Sequence, residues 1–172
     1  MTQSPVDDLT LNGYEPPRNT QFNVFVDNRI GRMLEIMELL YGQAIKVLAL
    51  SVVEGADFAV DRLIVSRPDI TRRLLERAQM PFSETPVLVA ELPPANPGLS
   101  SGATGSLVEL CRSLVQAEIN ICYIYPLFQR PNAAPAIVLH TDDPTATGRV
   151  LRRKGFTLLG ERDLNEPKDG WC

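Results

Sequence analysis

Between Asp27 and Met33 the chain reads DNRIGRM, which sets charge, amide and glycine side by side where an extended run gives way to a helical one. A glycine at a helix start leaves backbone N–H groups unpaired at the positive end of the helix dipole, and its missing side chain lets a ligand approach them closely. A second group with possible chemistry is His140, the only histidine, followed by Asp142 and Asp143. A strand-end histidine beside two acids is the raw material of a base or a metal ligand. Asp143 precedes a proline, however, and has the form of a helix cap, and a single histidine with acids makes a thin metal site. No nucleotide-binding loop, nucleophile motif or ligand-spaced Cys/His cluster accompanies it. The polar loop at Gly31 is therefore the candidate site, with binding rather than catalysis as its chemistry and no metal or cofactor expected.

The flanking residues are those that position such a loop. Phe22, Val24 and Val26 alternate with Asn23 and Phe25, the period of a strand, and Asp27, Asn28 and Arg29 interrupt it. Ile30, Leu34, Met37 and Leu40, widened by Met33, Ile36 and Tyr41, form the stripe of an amphipathic helix that Gly42 ends. IKVLALSVV then has the β-branched character of a second strand.

Composition bounds the alternatives. The chain has 172 residues, 44% hydrophobic and 22% charged, with a net charge of -4. That is enough for one domain or two small ones with a real core. No basic run stands out, and FNVFVD lies in an acidic protein, which argues against an RNA- or DNA-binding role. No apolar stretch is long enough to span a membrane and no signal peptide is visible, so a cytoplasmic location is expected. Cys111, Cys122 and Cys172 have no paired spacing and read as reduced thiols.

Taken in order, residues 1–20 read as a mobile or loosely docked tail. After the first strand, helix and second strand, the turn residues Glu54 to Asp57 lead to a third strand, FAVDRLIVS, with Arg62 either a solvent-facing residue paired to a nearby acid, the simplest reading, or part of an interface. Pro68 opens a second helix, and Phe82 to Thr85 is a short closing strand. From Pro86 the order starts again. Val87 to Leu92 is a strand, PPANPGLSSGATG a long loop, and Leu107 to Val115 a helix. Ile119 to Leu127 is a strand with Tyr123 and Tyr125 on one face, Ala136 to His140 another, and Phe156 to Leu159 the last, after a helix capped by Asp143 and opened by Pro144. QAIKV and AEINI lie about 74 residues apart, and SRPDITRRLLERA and TDDPTATGRVLRR nearly the same, which marks an internal repeat. The expected fold is α+β, two tandem ferredoxin-like βαββαβ units with antiparallel sheets, over residues 21–85 and 86–165, with residues 166–172 as a short tail.

DNRIGRML resembles the strand-to-helix signature of the ACT domain, a small-molecule-sensing module, and GADFAVDRLIVSRPD resembles the second half of that motif. PANPG, AEINICYIYPL and VLRRKGFTLLGERDL resemble a second copy, so the likeness covers roughly Gln21 to Leu164. Two departures stand out: Ile30 replaces the usual proline, and an insertion after Gly98 leaves either Gly98 or Gly105 as the second copy's glycine. The resemblance implies a non-catalytic regulator that binds a free amino acid at domain interfaces, works as a homodimer and acts on a partner enzyme of amino-acid metabolism. On that reading the carboxylate meets the N–H groups of Gly31, Arg32 and Met33, and Asp27, Asn28 and Arg29 belong to the same loop. Ile30 and strand residues of a neighbouring domain, around Leu50, Ser51 and Val52, lie near the ligand's side chain. In the second copy Gly98 marks the loop, and Tyr123 and Tyr125 supply aromatic walls or simply pack on the sheet.

Overall fold

The computed structural model describes residues 14–92, 102–132 and 134–165. The first unit is β1 (Asn19–Asp27), α1 (Arg32–Tyr41), β2 (Val47–Glu54), β3 (Phe58–Val65), α2 (Pro68–Arg77) and the start of β4 (Phe82–Glu91). The second continues from β4 through α3 (Gly102–Gln116), β5 (Ile121–Pro126), β6 (Ala136–Thr141), α4 (Pro144–Arg153) and β7 (Leu158–Leu159), and ends in α5 (Glu161–Asn165). The strands are ordered β2-β3-β1-β4-β6-β5, all antiparallel, with β7 also on β4. This is the tandem ferredoxin-like arrangement expected from the repeat.

Strand β4 is one strand, not the two separated by a join that the sequence suggested. Its first half, through Val87, pairs with β1; its second half, from Leu88, pairs with β6 and β7. Pro86 falls beside that handover, a tolerable place for a residue with no N–H to give. The alternating side chains of the sheet feed three cores. Phe22, Val24, Ile36, Leu40, Leu63 and Leu75 pack the first unit's helices onto its sheet, and Leu88, Leu110, Leu114, Leu139 and Leu151 do the same in the second. The opposite faces of the two half-sheets share the third core, with Leu48, Ala49, Ile64, Val87, Val89, Tyr125, Leu127 and Val138. One corner is stitched where Ala49 bridges Leu127 and the Phe128 N–H donates to the Leu48 carbonyl (2.7 Å).

For the N-terminal segment the structure favours the docked alternative over the mobile one. From Tyr14 to Thr20 it is docked: Pro16 is buried against Gly148 of α4, the Arg152 guanidinium lies over the Tyr14 ring, and Arg18 donates to Thr145. A proline-rich stretch carries no hydrophobic period, so the sequence does not show which surface it docks on. Strand β1 starts at Asn19, whose side-chain amide donates to the Leu159 carbonyl across 2.8 Å.

Candidate functional site

The Gly31 loop forms as its residue types dictate. Gly31 sits at φ 94°, the left-handed conformation that glycine adopts without penalty, and is the N-cap residue of α1 with no side-chain cap bond. The Gly31 carbonyl accepts from Glu35, while the N–H groups of Gly31, Met33 and Leu34 find no acceptor among the described residues. The Arg32 N–H makes only a long 3.4 Å bond to the Arg29 carbonyl. A group of unpaired donors at a helix start thus faces solvent.

The loop's side chains hold its shape. Asp27 and Arg29 form an exposed ion pair, and Arg32 pairs with Glu35. Asn28 donates to Glu54 (3.1 Å) and to the Gly55 carbonyl (3.3 Å), tying the loop to the β2–β3 hairpin. Ile30 is fully exposed, and Leu34 is 59% exposed beside it. The loop therefore presents donors, a pinned amide and an apolar tip on one side of the molecule.

The other expected residues separate. Ser51 pairs across from Arg62 on the face shared by the two half-sheets, whereas Leu50 packs toward the helices and Val52 points the same way. Alternation along a strand prevents all three from lining one surface. Gly98 lies outside the described residues. The helix α3 begins at Gly102, earlier than expected, and Gly102 itself has φ 49°. Gly105 falls inside that helix, which removes it as the second copy's counterpart of Gly31.

Tyr123 and Tyr125 face the space between the half-sheets and belong to a polar network that sequence reasoning missed. Gln21, wholly buried, accepts from the Tyr125 hydroxyl (2.8 Å) and donates to the Tyr123 hydroxyl (2.9 Å) and to Asn23 (2.6 Å). Asn23 in turn donates to Ser83 and Thr85. Burial, and then the neighbouring Tyr123, push the Tyr125 phenol well above its ordinary value. Arg62 is the correction here: it is half-buried, its guanidinium lies 3.8 Å from the Tyr123 ring centre, and no acid pairs with it among the described residues. His140 stacks on the same tyrosine at 5.0 Å. Its acids are elsewhere engaged, since Asp142 accepts from the Asn120 N–H and Asp143 caps α4 through the Ala146 N–H. The alternation of β3 places Asp61 and Arg62 on opposite faces; that was the available signal.

A cleft of about 280 Å³ opens at the far end of the first sheet, lined by Lys46, Ser66, Arg67, Gln129 and Asn165 among others. It is remote from Gly31, at the opposite ends of β2 and β3.

A family model described as an ACT domain pair matches residues 18–167. The chain belongs to that family. Among solved structures, a protein from Bacteroides thetaiotaomicron is 28% identical with a TM-score of 0.74, over 88% of this chain and 98% of that one. The regulatory subunit of aspartate kinase from Thermus thermophilus, in ligand-free form, has a TM-score of 0.52 at 9% identity, over 81% and 93%. An aspartokinase structure with alpha and beta subunits has 0.50 at 14%, over 78% and 90%. The last two likenesses speak for the ACT pair fold alone. No curated protein matches the sequence. In that fold Gly31 opens the first helix of the first ACT unit and Gly102 that of the second, and no described helix is long and apolar enough to cross a membrane.

Proposed function

We propose that this ACT pair is a cytoplasmic, non-catalytic regulator that binds a free amino acid at the Gly31 loop of its first unit. The observation that carries the reading is the left-handed Gly31 with open N–H donors beside it and the fully exposed Ile30 next to them. The donors suit a carboxylate at the positive helix end, the Asp27 carboxylate suits an ammonium, and the apolar tip suits a ligand side chain or a second chain's surface. Because the loop is exposed, the remaining wall comes from a second copy, and the working form is a homodimer. The name of the Thermus thermophilus structure, a regulatory subunit of aspartate kinase, supports a partner enzyme in amino-acid metabolism.

Thermal denaturation of the full chain against each standard amino acid tests the proposal. A ligand that binds only the folded state at about 100 times its Kd adds about 2.7 kcal/mol of stability by mass action. The expected result is a raised Tm with one or a few amino acids, lost in Gly31→Val. A flat response to all of them overturns the sensor reading and leaves a protein-interaction module with the same fold.

A further inference from the structure

The space between the two half-sheets holds a half-buried cation with no acid partner among the described residues. On β3, Arg62 lies across from Asn23 and Ser51, both uncharged. Facing it from the second unit are Tyr123, Tyr125 and His140, also without a carboxylate. A guanidinium laid over an aromatic face keeps its N–H groups in the plane, free for the two parallel bonds that a carboxylate accepts. The Tyr123 hydroxyl accepts from Gln21, so its own proton remains to be donated. The Nδ1 atom of His140 is buried and has no hydrogen-bond partner among the described residues.

Next to Arg62 on the same face, toward the ends of their strands, come Val60, Phe25 and Val53, and beyond them Phe58. Phe25, Val53 and Phe58 are 38%, 41% and 54% exposed. One unpaired charge beside an uncovered apolar strip, which ends at the Asp27–Arg29 ion pair across from Phe58, matches an amphiphile, not a polyanion. We propose that Arg62, Tyr123 and His140 form a site within one chain for a small-molecule carboxylate with an apolar tail. The head pairs with Arg62 and the tail lies over Phe25, Val53 and Val60. This site is additional to the Gly31 loop and requires no second copy.

His140, as the only histidine, gives an isolated NMR reporter. Titration of the full chain with hexanoate is expected to move its ring resonances saturably, with acetate and hexan-1-ol binding at least about ten-fold more weakly because each lacks one half of the recognition. Arg62→Gln is expected to abolish the hexanoate response. Should that variant fail to fold, Ser51→Glu, which sets a carboxylate opposite Arg62, is expected to block the probe in a folded protein. Gly31→Val, which removes amino-acid stabilisation under the loop reading, is expected to leave the hexanoate response in place. Absence of any hexanoate shift, an equal response to hexan-1-ol, or loss in Gly31→Val with retention in Ser51→Glu overturns the site.

Discussion

The seating of the N-terminal segment on α4 can be tested at Gly148. A Cβ at this position would stand 2.3 Å from the Pro16 Cβ and 2.7 Å from its Cγ. Ordinarily, replacing a mid-helix glycine with alanine gains roughly 0.5–1 kcal/mol. Here the added methyl meets a buried, rigid ring, and overpacking of that kind costs about 1–3 kcal/mol. The overlap is too deep for a few tenths of an ångström of adjustment, so the clash wins. Gly148→Ala is expected to destabilise the protein by about 1–2 kcal/mol, which for a chain of this size lowers Tm by about 2–8 °C. Urea denaturation of four proteins isolates the cause: wild type, Gly148→Ala, Pro16→Gly and the double variant. Removal of the Pro16 ring takes away the obstacle, so in that background the alanine regains its helix advantage and becomes stabilising. An alanine that stabilises the wild-type background by its full helix propensity would refute the docking of Tyr14–Arg18 on α4.

Three further outcomes follow from other places in the fold. Gln21→Ala removes a buried amide with three partners and is expected to cost about 3 kcal/mol, since the Tyr125 hydroxyl and the Asn23 Oδ1 lose their partner; chemical denaturation checks it. Asp61 is buried with one carboxylate oxygen unpartnered among the described residues, and burial raises its carboxyl above the usual range. The folded state then binds the proton more tightly than the unfolded chain, so this group's stability is present below the unfolded value and is lost as pH rises through the folded one. Asp61→Asn is accordingly expected to raise Tm at pH 7 and to make little difference near pH 3; a constant difference across that range would contradict it. The Glu84 carboxyl is held below its usual range first by hydrogen bonds from Arg72, so its contribution runs the other way, present at neutral pH and lost on acidification. Arg72→Gln is expected to lower Tm at pH 7 and to lose that effect as Glu84 protonates, read from melts between pH 7 and 3.

How much of this was legible in the sequence depended on how local the cause was. Gly31 as a helix-opening turn, Pro68 and Pro144 in first helical turns, and Asp143 as a cap are consequences of short-range chemistry, and each stands where the residue type put it. The two-unit order was visible because the repeat preserves element types. Strand β4 was misread because Pro86 looked like punctuation, yet only the partners change there. The start of α3 was misread because GATG has turn composition, while Ser106 and Leu110 bury its inner face. The network joining Gln21 to Tyr123 spans 102 positions, and no local pattern could announce it. Solvent is the simplest reading of Arg62 from sequence because single-strand alternation shows which side chains share a face, not what covers that face.

In the proposed function, the open donors at the start of α1 receive an amino-acid carboxylate. An amide-resolved NMR titration of the full chain with amino acids reads those donors directly. The expected result is saturable movement of the Gly31, Met33 and Leu34 amide resonances, with slowed hydrogen exchange at the same groups. If no amino acid moves them, or if binding shifts only residues remote from the loop, these donors are not the binding site.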